Sequence, residues 1–427
     1  MERPGPLDSR SVTIEVAGAR SILRDPVFAR LWFIQAANQI GGNMALYALT
    51  VLVYSSTRSN SAVSALLVSF VLPQIALSPF AGVIVDRLDL RWALIVPNVI
   101  RTALTAGLAL AGMNIALVLA LNLGVSLMSV ALTPAEGSMI PRVVPKAQLE
   151  VAMSVFNLTL QGSFAIGFAF LGPLMVTMAG PSFVLGVVTM FYVAASIACI
   201  GLPSAPPIEQ EDADGRRTIG DVIHELREGL AVVRHDQTIS RPILLLATAT
   251  SVASVLGVLG PSLAVSVGLE PQNLAVVVIP LGIGVVLGVF VLRRFGERWP
   301  RRRVAEGGLF ILGVVTAALA AAGWLDGSLH GLGFSPGALP VVIVTAMLAG
   351  AAYAVTSVTA QTNLTESTPA DVRGRVFGVL ASIVSAASLI PSLVAGPLAD
   401  RLSTGAAIAI AGVVLVSVAV WSIRRNA

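Results

Sequence analysis

Amide side chains at helical spacing are the first groups in this chain that could do chemistry, because they can hydrogen-bond a ligand. The first set falls on one face of a helix and comprises Gln35, Asn38, Gln39 and Asn43. A second set adds two aromatic rings, which would form an apolar wall, and comprises Asn157, Gln161, Phe164 and Phe168. Buried amides also bond across helices, so a ligand site and a packing contact both remain open for these faces.

Two opposite charges, Arg101 and Glu136, lie within long apolar runs. If these runs cross a membrane, an arginine at mid-depth costs at least ~2.5 kcal/mol and needs a partner. The helical rise places Arg101 about 15 Å beyond Arg91, and Glu136 lies on the next run, which returns toward the same surface. We therefore predict an Arg101–Glu136 ion pair. The alternative is that Glu136 reaches the interface while Arg101 bonds to carbonyls.

No catalytic or metal-binding pattern accompanies these groups. His224 begins HELREG, which lacks the second histidine of a zinc-binding HExxH helix. The sequence contains no GxSxG, no glycine-rich phosphate loop and no metal-ligand spacing. The single cysteine, Cys199, lies in an apolar run. The sequence therefore argues against an enzyme, and neither a metal nor a cofactor is expected.

Apolar runs predict the elements that position these residues. Of 427 residues, 56% are hydrophobic and 12% are charged, about half the charged share of soluble proteins. A membrane-spanning helix needs roughly 20 residues. Twelve runs are long enough and predict an all-α integral membrane protein, with spans at 28–52, 61–85, 92–112, 115–140, 150–179, 182–202, 241–268, 272–292, 304–324, 338–364, 374–399 and 404–423. The polar first twenty residues argue against a cleaved signal peptide.

Basic residues predict the orientation of these spans. Of the 27 Lys and Arg, Arg58 and Arg401 fall in segments on one side and Arg101 falls within a span. All the others lie in or beside segments on the opposite side. Because the basic side of a membrane protein faces the cytoplasm, both termini are predicted to be cytoplasmic. This asymmetry accounts for the positive net charge, and a nucleic-acid partner is not expected.

A polar segment at 203–240 divides the chain into two halves. Its second part carries apolar residues at helical spacing: Ile219, Val222, Ile223, Leu226, Leu230 and Val233. We expect an amphipathic helix against the cytoplasmic face, with simple tethering as the alternative. The predicted domains are a cytoplasmic arm (1–27), a six-helix bundle (28–202), this linker (203–240) and a second six-helix bundle (241–427).

Glycine spacing gives two expectations about helix contacts. Gly284 and Gly288 form a GxxxG pattern, which is suited to close packing of two membrane helices. In the fifth span Gly162, Gly167 and Gly172 recur every five residues. Five steps of an α-helix rotate by about 140°, so these three glycines are not expected to share a face.

The charge cluster GVIVDRLDLRWAL at 82–94 carries the most specific resemblance to a known family. It is similar to the signature G-x-x-x-D-R-x-x-R-R between the second and third helices of the major facilitator superfamily. Further matches follow in order: TPAEGSMIPRVVPKAQLEVA (133–152), LGP (171–173), DVRGRVFGVL (371–380) and GPLADRL (396–402). Within the superfamily the chain resembles the bacterial efflux branch that includes siderophore (enterobactin) exporters and macrolide-efflux proteins.

The resemblance implies two six-helix bundles that rock about a central cavity, and a conformational latch on the cytoplasmic side. The implied latch residues are Gly82, Asp86, Arg87, Arg91, Arg373 and Arg375. Asp86 would face the N-terminus of the eleventh helix, and Gly82 would let the second and eleventh helices approach closely. The alternative is that the cluster's charges only solvate a cytoplasmic turn. Asp89 stands where many relatives have Gly, which makes the cluster less positive.

The sequence therefore predicts a monomeric secondary active transporter in a bacterial cytoplasmic membrane. The resemblance and the scarcity of charge imply export of a hydrophobic or amphiphilic small molecule. Relatives commonly couple export to proton entry through an acid in the first helix, but Asn43 follows the glycine there, which leaves Glu136 as the candidate proton site. The alternatives are an uptake or facilitated-diffusion carrier and a non-transporting receptor or scaffold of the same fold.

Overall fold

The computed structural model describes residues 22–207, 236–296, 299–330, 339–368 and 373–424, together with Glu228, Leu230, Ala231 and Val233. Side chains of Gln161 and of residues 373–375 are not among the described groups. Throughout the described part the ordered elements are helices. Of the predicted linker helix, Leu230 and Val233 are helical and pack against the core of the second half; its other predicted apolar positions lie outside the described residues.

The first half contains six helical elements in the described part. They are α1 (Pro26–Thr57), α2 (Asn60–Val85), α3 (Leu90–Leu110), α4 (Ile115–Val143), α5 and α6 (Pro181–Ile200). Of these, α5 has three continuous parts: Leu149–Phe164, a π-helical part Ala165–Leu171, and Gly172–Ala179. Side chains accept hydrogen bonds from the first free backbone N–H groups at several helix starts, which is the usual N-cap; the caps are Asp25, Ser59, Asp89 and Asn114.

The second half contributes α7 (Gln237–Ser266), α8 (Ala275–Phe295), α9 (Arg301–His330), α10 (Leu339–Ser367), α11 (Arg373–Arg401) and α12 (Thr404–Arg424). Among the described residues, eleven helices are long and apolar enough to cross a membrane. The element outside that set is α1, although it is 32 residues long. The four amides of its polar stripe lower the mean hydropathy of this helix.

Three apolar cores show how the halves meet. One core lies within the first half and contains Phe28, Leu94, Met139 and Cys199. A second lies within the second half and contains Ile243, Leu309, Leu364 and Leu415. The third joins both halves and contains Tyr47, Leu66, Leu185, Leu259 and Ala399. We call the end with the third core the shared-core end, and the opposite end, where each half has its own core, the split-core end.

The π-helical part of α5 corrects the expectation about its glycines. Gly172 N–H bonds to the carbonyl of Gly167, five residues back, so these two residues lie above one another. Both pack against α1: a Cβ on Gly167 would lie 2.6 Å from the Ile40 carbonyl oxygen, and one on Gly172 would lie 3.0 Å from Tyr47 Cβ. The expectation holds for Gly162 and fails for Gly167 and Gly172, because it assumed uniform α-helical rotation. Gly162, in the α-helical part, has open space around it.

The GxxxG pattern of α8 makes the close helix contact that its spacing predicts. A Cβ on Gly284 would overlap the backbone of Met347, and one on Gly288 would overlap the backbone of Ala351. Both partners lie on α10, so this contact is internal to the second half. The glycines therefore allow the backbones of α8 and α10 to touch.

Candidate functional site

A buried polar cluster lies between α1, α3, α4 and α6 of the first half. Asn38, Arg101, Glu136 and Tyr192 are each at most 5% exposed. The Arg101 guanidinium lies over the Tyr192 ring, 4.0 Å from its centroid, in a cation–π contact. Four different helices thus bring their polar side chains to one point inside the bundle. We call these four residues the buried cluster.

Asn38 joins the two charges that the sequence predicted to pair. Its Nδ2 donates to Glu136 Oε1 at 3.2 Å, and Arg101 Nη1 donates to Asn38 Oδ1 at 3.2 Å. The predicted direct ion pair is therefore corrected to a bridged one. The amide stands between guanidinium and carboxylate because it offers one donor and one acceptor.

Several polar atoms in and around the buried cluster have no hydrogen-bond partner among the described residues. They are Gln35 Oε1, Asn98 Oδ1, Arg101 Nε, Thr105 Oγ1 and Tyr192 Oη. A buried polar atom without a hydrogen bond costs roughly 1–3 kcal/mol. These five atoms therefore leave hydrogen-bonding capacity unused in this part of the bundle.

The predicted polar stripe of α1 divides between two environments. Gln35 and Asn38 are buried, and Gln35 Nε2 donates to the Phe156 carbonyl of α5 at 3.2 Å. Gln39 and Asn43 are half-buried, and Asn43 Nδ2 donates to the Gln39 carbonyl at 2.9 Å. Packing therefore accounts for the first two amides, while the second two keep accessible surface for a ligand.

The aromatic residues predicted for a cavity wall form one group. The rings of Phe164 and Phe168 stack with centroids 5.1 Å apart, and Phe168 meets Tyr47 of α1 edge-on at 5.6 Å. Phe164 is 49% exposed. Asn157 is also exposed, and the side chain of Gln161 lies outside the described residues. The structure thus brings Phe164 and Phe168 to the part of α1 that carries Asn43, one turn before Tyr47.

The predicted latch residues lie at the split-core end. Asp86 and Arg87 are exposed, and a Cβ at Gly82 would meet open space, so no close helix approach occurs there in this conformation. Arg91 Nη2 donates to the Ile200 carbonyl at the end of α6 at 2.6 Å. Helix α11 begins at Arg373, but the side chains of Arg373 and Arg375 lie outside the described residues.

Asp89, which departs from the family pattern, forms hydrogen bonds with the start of the linker. Its carboxylate accepts hydrogen bonds from Arg91 N at 2.9 Å, from Ala205 N at 3.2 Å and from the Ser204 hydroxyl. Burial is the largest single influence on the pKa of this carboxyl and raises it, but these three donors and the Arg91 charge together outweigh burial and lower the pKa below its ordinary value. Asp89 therefore ties the loop between α2 and α3 to the segment that follows α6.

Sequence reasoning missed the polar contact at the shared-core end. Asp400, at the end of α11, accepts hydrogen bonds from Ser59, Asn60 and Ser61 at the start of α2. These residues are more than three hundred positions apart in the chain, so a pattern local to either segment does not connect them. The sequence feature that could have indicated this contact is Asp400 in the motif GPLADRL, to which the resemblance assigns no role.

The sequence model of the Major Facilitator Superfamily matches residues 31–335. The chain belongs to the major facilitator superfamily. This membership also shows that the chain is a multi-pass membrane transporter and not an enzyme, since the family and the relatives found are transporters.

Superfamily relatives match nearly the whole chain at low identity. An uncharacterised MFS-type transporter of Mycobacterium tuberculosis is 26% identical over 93% of this chain and 92% of its own. The multidrug efflux pump Tap of Mycolicibacterium fortuitum is 26% identical over 84% of this chain and 86% of its own.

Solved structures show that the superfamily fold is kept. The nucleoside transporter NupG aligns with a TM-score of 0.72 at 12% identity, covering 93% of this chain and 98% of that one. A bacterial homologue of the human lysosomal transporter Spinster aligns with a TM-score of 0.64 at 16% identity, covering 98% and 97%. At these identities the likeness concerns the fold alone.

Proposed function

We propose that this chain exports a hydrophobic or amphiphilic small molecule from a bacterial cytoplasm by alternating access. The observation that carries the proposal is the arrangement of cores: the halves share one core at one end and separate at the other. Among the described residues the two bundles share an apolar core at one end only, which is what a transporter open to one side requires. The split-core end carries nearly all the Lys and Arg, so we assign it to the cytoplasm.

The same assignment gives the chain twelve spans, with α1 as the first and both termini cytoplasmic. Helix α1 supports this because its amides face inward: Gln35 and Asn38 are buried inside the first half. A membrane helix keeps polar side chains away from lipid and directs them to the bundle or a cavity. We place the protein in the cytoplasmic membrane as a monomer, with small-molecule cargo and protons as its partners.

The character of the cargo follows from the groups near α1 and α5. Gln39 and Asn43 offer hydrogen bonds, Phe164 and Phe168 offer stacked rings, and no formal charge stands among these four. Such a surface suits a neutral or weakly charged amphiphile. Export is supported by the relationship to Tap, whose name describes a multidrug efflux pump.

Glu136 is our candidate for proton coupling. It is a carboxyl group at 4% exposure, and Asn38 holds one of its oxygens while the opposite charge of Arg101 lies beyond the amide. Loss of the Glu136 charge would leave the Arg101–Asn38 hydrogen bond intact and would give the buried cluster a net positive charge. A proton could therefore act on the packing of α1 against α3 and α4.

Substrate-dependent proton flux in proteoliposomes tests this function. The wild type should move a dye such as ethidium or Nile red out of the compartment that the split-core end faces, with protons moving in the opposite direction. Glu136→Gln should abolish proton flux. Glu306→Gln is the matched control, because Glu306 is also buried but is held by Arg302 and Ser422 in the second half.

Each result of this experiment has a distinct meaning. Proton flux that persists in Glu136→Gln would remove Glu136 from coupling. Dye movement toward the split-core side would make the protein an uptake carrier, and movement without protons would make it a facilitated-diffusion carrier. Absence of movement for every compound of a broad panel would favour a receptor or scaffold.

A further inference from the structure

The latch motif occurs twice in this chain, at the ends of two neighbouring helices. Gly82, Asp86, Arg87 and Leu88 close α2, and the same residue types with the same spacing, Gly396, Asp400, Arg401 and Leu402, close α11. The two helices run in opposite directions, so one copy lies at the split-core end and the other at the shared-core end. The structure shows what the second copy does.

Asp400 caps the start of α2 across the boundary between the halves. Its Oδ1 accepts hydrogen bonds from Asn60 N and Nδ2, both at 2.9 Å. Its Oδ2 accepts from Ser61 N at 2.9 Å, Ser61 Oγ at 2.6 Å and Ser59 Oγ at 2.9 Å. The N-terminus of a helix has free N–H groups and a partial positive charge, so a carboxylate is stabilised there.

The glycine of the second copy makes the approach possible. A Cβ on Gly396 would overlap the Asn60 carbonyl oxygen and the Ser64 hydroxyl, so the backbones of α2 and α11 are in contact here. Gly396 N donates to Ser64 Oγ at 3.1 Å, and that hydroxyl donates to the Ser392 carbonyl. The second copy is therefore fully engaged: glycine for close approach, aspartate for the helix start.

The first copy makes no comparable contact with any residue that the structure describes. A Cβ on Gly82 would meet nothing within 4 Å, and Asp86 is exposed with no side-chain hydrogen bond to any described residue. Because α2 and α11 are antiparallel, equal numbers of residues counted in opposite directions from the Ser64–Ser392 contact pair Asp86 with position 370, three residues before α11 begins at Arg373. Asp400 therefore ends α11 and lies beside the start of α2, and Asp86 holds the corresponding place at the end of α2.

We propose that Asp400 is the latch of the shared-core end, and that Asp400 and Asp86 engage alternately as the two halves rock. Closing one end of the α2–α11 pair places a carboxylate on a helix start and opens the other end. This inference rests on the alternating access of the proposed function. It adds a named residue that holds the state with the split-core end open, in opposition to Asp86.

Opposite shifts in conformation are the test. In a Cys199→Ala background of the full chain in lipid nanodiscs, spin labels at Met113 and Glu270 report the shared-core end, and labels at Ala147 and Arg303 report the split-core end. All four positions are exposed. Asp400→Asn should lengthen the first distance and shorten the second. Asp86→Asn should increase the population with the split-core end open.

The expected size is a threefold to roughly tenfold change in the ratio of the two populations, because hydrogen bonds to an exposed carboxylate are weakened by solvent. A Ser59→Ala, Ser61→Ala double variant removes donors and leaves Asp400 in place, so it should shift the ratio in the same direction as Asp400→Asn. Asp236→Asn is the matched control, since the described contacts of Asp236 are those of the cap on its own helix, α7.

Unchanged distances in both Asp400→Asn and the double variant would overturn the proposal, and so would a shift in the same direction for Asp400→Asn and Asp86→Asn. An equal shift in Asp236→Asn would mean that the effect is a nonspecific loss of stability, and this result would also overturn the proposal. Dye transport by the same variants is measured in proteoliposomes. Reciprocal shifts without transport of any dye would support the latch proposal and contradict the proposed cargo.

Discussion

At the scale of single residues, Asn38 is the group on which the buried cluster depends. It accepts from Arg101 and donates to Glu136, so the two charges satisfy each other through one amide. An unpaired charge at this depth would be costly, and the amide removes that cost without a direct contact. The bridge also explains why the sequence alone suggested a direct pair: it identified both charges but not the neutral residue between them.

Asn38→Asp tests the bridge, because it keeps the shape and replaces the donor with an acceptor. The new carboxylate would face Glu136 without a hydrogen, and we expect a loss of about 1–3 kcal/mol in the free energy of unfolding. Adding Glu136→Gln supplies an amide donor and should recover most of it. Thermal unfolding midpoints in detergent measure both. An equal midpoint for the single and double variants would contradict the bridge.

Asp89 gives a pH-dependent prediction outside the spans. Its hydrogen bonds lower its pKa in the folded state, so its charge contributes stability that is full above the ordinary carboxyl value of about 3.9 and is lost as the pH falls through the lowered value. Asp89→Asn keeps the size and the cap acceptor but not the charge. Wild type should therefore be more stable than the variant at pH 7 and equal to it in strong acid. A difference in unfolding midpoint that is the same from pH 7 to pH 3 would count against this role.

At the scale of elements, α5 shows what periodicity could and could not predict. The length, position and apolar character of this span were visible in the sequence. The π-helical part was not, because it depends on the contact between α5 and α1, which lies outside any local pattern. The same holds for Asp400, whose partners are at the other end of the chain. The sequence identified the polar positions within the spans; tertiary contacts decided which of them are buried and which of them meet.

Gly167→Ala tests the packing of the π-helical part. The added Cβ would lie 2.6 Å from the Ile40 carbonyl oxygen and 2.9 Å from Asn43 Cβ, so α1 and α5 would have to separate. We expect a loss of roughly 1–3 kcal/mol from overpacking. Gly162→Ala, five residues earlier in the same span, enters open space and should be neutral. Equal thermal midpoints for the two variants would mean that the π-helical part is not held by this contact.

At the scale of the whole molecule, the two halves share an apolar core at one end and have separate cores at the other. Composition and charge predicted the membrane class and an orientation, because these depend on summed properties of the chain, and five motifs in order carried the resemblance to the family. The conformational state could not be predicted in this way, since it depends on which helix ends touch. The shared core, the Asp400 contact and the α5–α8 contact at Ala169 and Gly282 all lie at one end.

Substitutions at two glycines of α8 distinguish a contact between the halves from packing within one half. A Cβ on Gly282 would lie 3.2 Å from Ala169 Cβ in the other half, whereas Gly284 faces the α10 backbone within its own half. Gly282→Leu should push the halves apart at the shared-core end and lengthen the Met113–Glu270 distance, with a small change in thermal midpoint. Gly284→Leu should lower the midpoint strongly, because it forces two backbones of one bundle apart, without lengthening that distance selectively. If both variants gave the same change in distance, the halves would not move as separate bodies, and the boundary drawn through the shared core would be wrong.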